Sequence, residues 1–168
     1  MGTAVSVIGL GNWGTALANH LALKGHNVLG WSIESDVVQG INASGRNIRF
    51  LSSVQLAPAL KATTDLGAAL QREVIVVAIP SSVLTELTPK ITAAPRTLVV
   101  SAVKGVEEVT LATPLNHIAA CHPERYRLAV LSGPSFARDV VVQRPCGVVA
   151  ASKEEVVARE VADLFSSE

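Results

Sequence analysis

The chain has 168 residues, 49% of them hydrophobic and 17% charged, which is too apolar for a disordered chain and enough for one sizeable core. Fourteen basic residues balance fourteen acidic ones, with no basic run or aromatic ladder to track a phosphate backbone, so no nucleic-acid partner is expected. The longest apolar runs, such as residues 74–80, fall far short of the roughly 18 residues a membrane span requires, so no membrane partner is expected either.

The chain opens on an apolar segment at 4–8 that reads as a strand, and a helical pattern follows at 12–24. Between them stands "GLGNWG", which places Gly9, Gly11 and Gly14 in G-x-G-x-x-G spacing at a strand-to-helix turn. Such glycines allow the tight turn, the approach of a pyrophosphate to the backbone, and close packing of helix on strand. The helix start then offers free N–H groups and a positive dipole end to phosphates. A dinucleotide is the expected ligand; FAD or a methyl donor uses similar turns, and a turn that binds nothing is the bland alternative. Trp13 inside the motif is either a helix-face anchor or a wall of the pyrophosphate entrance.

A second strand is expected at 27–31 and a second helix at 35–43. Glu34, about 20 residues beyond Gly14, stands where a carboxylate would accept hydrogen bonds from both ribose hydroxyls of adenosine. Its alternative role is a solvated acid at the next helix start. Residues 45–60 form the one long irregular stretch, in which Arg46 and Asn47 are read as organisers, with direct contact to cofactor as the alternative; Phe50 within it and Phe136 beyond it are read as packing anchors. Further strands are expected at 61–63, 74–79, 97–102, 128–131 and 147–150, and helices at 82–92, 109–120 and 153–165.

This alternation predicts an α/β fold for residues 1–168 as one domain: a Rossmann-type, doubly wound, mostly parallel sheet with helices on both faces. Three more strand ends carry small or polar residues, in "AIPSSV", "SAVKGVE" and "SGPSFA". In an open α/β sheet such loops converge beyond the carboxyl ends of the strands, where ligands bind. Lys104 is the sharpest of them, an ammonium that could polarise a carbonyl or balance a phosphate. Cys121 and Cys146 have no metal or redox spacing and are expected in the core. The four histidines have no metal spacing, so no metal is expected. The N-terminus lacks a signal-like pattern, and a cytoplasmic location is expected.

Taken in order, "GLGNWGTALA", "GHNVLGW", "RNIRFL", "AIPSSVL", "AVKGVE" and "LSGPSFARDV" resemble the NAD(P)-dependent glycerol-3-phosphate dehydrogenases across nearly the whole chain. That resemblance implies reversible hydride transfer between the nicotinamide and carbon 2 of dihydroxyacetone phosphate, giving glycerol 3-phosphate, a glycerophospholipid precursor. It implies that Gly9, Gly11, Asn12, Trp13 and Gly14 hold the pyrophosphate; Ile33 and Glu34 join the expected cofactor-binding residues by their place at the end of the second strand. Pro80 and Val83 would border the nicotinamide, and Ala137 would touch the dinucleotide. Lys104 would act as the catalytic residue and contact cofactor and substrate, and Gly133 and Ser135 would contact substrate. The family adds a helical domain that bears the proton-transferring lysine and that this chain does not contain, and a homodimer is expected of the full-length enzyme. Relatives that favour NADP often carry a basic residue near the end of the second strand. Here "WSIES" places Ile33 and Glu34 there, so NAD is expected over NADP for want of a cation. A stand-alone NAD(H)-sensing module and a reductase of another small carbonyl compound are the alternatives.

Overall fold

A computed structural model describes residues 2–106 and 111–167. Seven strands form one sheet: β1 (Ala4–Ile8), β2 (Asn27–Trp31), β3 (Lys61–Thr63), β4 (Val74–Val77), β5 (Leu98–Ser101), β6 (Arg127–Ser132) and β7 (Val149–Ala151). Their spatial order is β3-β2-β1-β4-β5-β6-β7. The first six pair in parallel, and β7 runs antiparallel to β6.

Parallel strands buried on both faces read as continuous β-branched or aliphatic runs, and β4 (VIVV) is buried at every residue. Because side chains alternate along a strand, Val74 and Val76 enter one core while Ile75 and Val77 enter the other. The first core is closed by α1 (Asn12–Leu23), α2 (Ser35–Ser44), α6 (Ala137–Val141) and α7 (Glu155–Phe165). Across the sheet, α3 (Leu66–Ala69), α4 (Leu84–Leu87) and α5 (Pro114–Cys121) cover the second. The sheet therefore has helices on both faces, as the alternating pattern predicts.

The departures from expectation have local causes. The helix expected over 82–92 is broken into α4 between two 3₁₀ turns, Ser81–Val83 and Thr88–Lys90. Pro89 has no N–H to donate into a continuing helix, and the Thr88 hydroxyl donates to the Leu84 carbonyl at 2.7 Å instead. The helix expected from 109 begins at Pro114, after Thr113, whose Oγ1 accepts from the Asn116 N–H at 3.3 Å. A threonine cap followed by proline is a start signal stronger than the apolar spacing around it. Residues 109 and 110 lie outside the described residues.

Cys121 is partly buried and Cys146 exposed, so neither is the core residue expected. Phe136 is likewise no packing anchor: it is 62% exposed, with the Arg138 guanidinium 5.5 Å from its ring centre. Phe50 does pack against the first core.

Candidate functional site

The carboxyl ends of β2, β1, β4, β5 and β6 lie side by side in that order, and the loops leaving them build two adjoining clefts. Between β1 and β4 the connections depart to opposite sides, the switch point at which open α/β sheets bind ligands. The glycine turn sits there. The hydrogen-bond ladder runs past the strand ends to fix it: Gly9 N–H donates to the Trp31 carbonyl at 2.9 Å, and Ala78 N–H to Ile8 at 2.8 Å.

Gly9 has φ +101°, and Gly14 lies so close beneath it that a Cβ there would stand 1.8 Å from the Gly9 carbonyl oxygen. Gly11 caps α1 with extended backbone, and nothing lies within 4 Å of where its Cβ would be. Its open side faces the cleft, with the first N–H groups of α1 unpaired within the helix behind it.

The first cleft, of about 490 Å³, takes in the glycine turn with Asn12 and Trp13, Ile33 and Glu34 at one end, and Pro80, Val83 and Lys104 at the other. The second, of about 400 Å³, runs on from Trp13, Ala102 and Lys104, which line both, to Gly133. The Lys104 ammonium stands 5.1 Å from the centre of the Trp13 ring, within cation–π range. Trp13 is thus a wall of the groove as well as a side chain packed against the core.

Three of the expected residues stand apart, the first being Gly14, which is buried beneath Gly9 and lines neither cleft. Ser135 is buried at 5% exposure and lines neither cleft. Ala137 opens α6 and packs on the first core. Gly133, at φ +146°, leaves no room for a side chain, because a Cβ would lie 2.8 Å from the Gly147 carbonyl oxygen.

The irregular stretch after α2 is tied to the site by a single buried amide. Asn47 is fully buried, and its Nδ2 donates at 2.8 Å to both the Leu10 carbonyl and Thr15 Oγ1. Its Oδ1 accepts from the N–H groups of Arg49 and Phe50 at 3.3 and 3.2 Å. Asn47 organises the loop as its sequence suggests, and so brings Phe50 into the first cleft.

It also brings a cation where none was expected. Arg49 Nη1 lies 3.7 Å from Glu34 Oε1 and 3.9 Å from Asp36 Oδ1. The reading of "WSIES" as an end without a basic residue is therefore corrected: the cation comes from a segment remote in sequence. In the sequence it stands inside "RNIRFL", with nothing there to mark its nearness to Glu34. Ile33, 79% exposed, and Glu34 both line the first cleft, with Glu34 accepting from the Ser32 hydroxyl.

A profile describing the NAD-dependent glycerol-3-phosphate dehydrogenase N-terminus matches residues 4–158. The NAD(P)+ glycerol-3-phosphate dehydrogenase of Geobacter sulfurreducens is 41% identical over 174 residues, covering 99% of this chain and 51% of its own length. That of Staphylococcus haemolyticus is 35% identical, with 99% of this chain and 52% of its own covered. Among solved structures, the glycerol-3-phosphate dehydrogenase of Coxiella burnetii superposes with a TM-score of 0.91 at 30% identity, over 99% of this chain and 52% of that one. A UDP-glucose dehydrogenase from Pyrobaculum islandicum, at 19% identity and a TM-score of 0.75 over 98% of this chain and 44% of that one, shares the fold. The chain spans about half the length of the curated relatives it matches.

Proposed function

The chain belongs to the family of glycerol-3-phosphate dehydrogenase N-terminal domains, and on that premise we propose that it is the cofactor-binding half of such an enzyme. The whole enzyme moves hydride reversibly between NAD(P)H and carbon 2 of dihydroxyacetone phosphate, giving sn-glycerol 3-phosphate for glycerophospholipid synthesis. The observation that carries this reading is the continuous groove over five neighbouring strand ends, in which Trp13, Ala102 and Lys104 line both clefts.

In this reading the adenosine ribose lies at Ile33 and Glu34. The pyrophosphate rests on Gly9, Gly11, Asn12 and Trp13, with Gly14 serving the site by letting helix and strand close beneath the turn, and the nicotinamide lies towards Pro80 and Val83. Dihydroxyacetone phosphate occupies the second cleft against Gly133. Lys104, at the junction, is the catalytic residue, its ammonium placed to stabilise negative charge on the substrate oxygen or phosphate. Ser135 and Ala137 line neither cleft, so the substrate and cofactor roles proposed for them rest on the resemblance alone.

The reading also places the enzyme in the cytoplasm as a homodimer. The free thiols of Cys121 and Cys146 suit a reducing compartment, no helix among the described residues is long and apolar enough to cross a membrane, and the homodimer rests on the family resemblance.

Hydride transfer also needs a proton delivered to the substrate oxygen. Among the described residues lining the two clefts, Lys104 is the only ammonium. Lys61 lies on β3, Lys90 pairs with Glu86 at 2.9 Å, and Lys153 lies in the turn before α7, so none of them lines the groove. Without a second ammonium as proton donor among the described residues of the groove, the large effective molarity of an assembled site is lost. The 168 residues are expected to bind NADH in a calorimetric titration, yet to show no NADH oxidation above background when dihydroxyacetone phosphate is added. Absence of NADH binding by the folded chain would refute the reading, and robust turnover would refute its division of the site.

A further inference from the structure

The ribose end of the groove holds charges of both signs, and they are not locked together. The Arg49 guanidinium is half exposed, at 51%, and its separations of 3.7 and 3.9 Å from Glu34 and Asp36 are too long for hydrogen bonds. Glu34 is meanwhile engaged by the Ser32 hydroxyl. The backbone that carries Arg49 is well placed, because its N–H and that of Phe50 are both held by the fully buried Asn47. Asn47 in turn is fastened to the glycine turn at Leu10 and to α1 at Thr15. The result is a cation on an anchored loop, with its donors uncommitted, beside the carboxylate that would meet a ribose.

The names of the matched relatives already carry NAD(P)+; we propose that Arg49 is the specificity-determining residue on which the use of NADP(H) beside NAD(H) depends in this chain, by allowing the ribose end of the groove to take a 2′-phosphate. The inference rests on the dinucleotide reading above and deepens it. With NAD(H), the 2′- and 3′-hydroxyls donate to Glu34, and Arg49 stays in loose attraction to the two acids. With NADP(H), a dianionic phosphate at the same place is repelled by Glu34. Arg49, 3.7 Å from Glu34 and of the opposite charge, offsets that repulsion. Its planar fork can then donate two hydrogen bonds to phosphate oxygens, which a lysine ammonium does less specifically. Asp36 leaves the trio with a net negative charge, so NADP(H) is accepted without being strongly preferred.

The test compares NADH and NADPH titrations of the 168-residue chain and of Arg49→Gln, Arg49→Lys and Glu34→Gln, with thermal melts to confirm folding. The original chain is expected to bind the two cofactors within about tenfold of each other. Arg49→Gln should weaken NADPH by about tenfold or more and NADH by less than about twofold, the loss of a charge-assisted bond pair read against one cofactor only. Arg49→Lys should keep part of the NADPH affinity. Glu34→Gln should act in the opposite sense, weakening NADH and tightening NADPH. Equal changes for the two cofactors in Arg49→Gln would reduce Arg49 to a loop residue and overturn the proposal, as would a chain that binds NADH and ignores NADPH. A chain that binds neither cofactor would remove the dinucleotide reading itself, and the proposal with it.

Discussion

The three glycines of the turn answer to different demands, and substitutions can separate them. Gly14 is required by the fold, because a methyl group there would meet the Gly9 carbonyl oxygen at 1.8 Å. Relief must come from moving α1 off β1, an overpacking cost of about 1–3 kcal/mol or more. Gly11 is required by the ligand alone, since its Cβ direction is open and its backbone is extended. Gly14→Ala is therefore expected to lower the urea unfolding midpoint clearly. Gly11→Val, which puts a poorer residue at the α1 N-cap, should cost no more than about 1 kcal/mol and lose NADH binding in calorimetry. The reverse ranking in the two assays would show that the spacing had been assigned the wrong physics. All three glycines are legible in sequence, because their spacing and context name the turn. Arg49 is not legible, because its nearness to Glu34 arises from the path of residues 45–60 and from Asn47, and no local pattern encodes that path.

Among the elements, the C-terminal end of α1 is a junction. Lys24 Nζ donates to the Asp163 and Leu164 carbonyls at 2.8 and 3.0 Å, and His20 Nε2 lies 2.8 Å from the Phe165 carbonyl. A cation at the exposed carbonyls of a helix end is favourable, and these contacts fasten α7 to α1. Next along the chain, His26 Nδ1 accepts the Thr3 N–H at 3.2 Å, which requires an unprotonated nitrogen. Burial, then the charges of Lys24 and His20, hold the His26 pKa below its ordinary value. The folded chain thus binds fewer protons here than the unfolded one, so this group makes stability rise with pH. Its contribution is expected to be fully present above the ordinary histidine pKa of about 6.5 and to decline as the pH falls below it. Urea midpoints measured from about pH 8 to about pH 5 should show that decline, and His26→Gln should flatten it; an equally steep fall in the variant would place the effect elsewhere.

The long periodic elements, α1, α2 and α7, were legible, and so was the short β3. The four- and five-residue helices α3 and α6 were not, since each is too short to display a 3.6-residue period. Pro89 was visible within the expected 82–92 helix, and its effect is the general one of a ring without an N–H.

At the scale of the molecule, strand order decides function, because it sets which loops become neighbours. Local patterns predicted the parallel sheet and its two helical layers, but not the antiparallel direction of β7, which leaves no mark on a three-residue strand. The order that results places the glycine turn between the loops that bear Glu34 and Lys104, and the central claim is that a dinucleotide lies along that line. Both tryptophans of the chain, Trp13 and Trp31, line the first cleft, and a reduced nicotinamide absorbs where tryptophan emits. Excitation of tryptophan during an NADH titration is therefore the most direct measurement. The account predicts saturable quenching of Trp13 and Trp31 with matching sensitised emission from the nicotinamide, both absent in folded Gly11→Val. Contradiction would be a folded chain that gives no energy transfer, or transfer that persists unchanged in Gly11→Val.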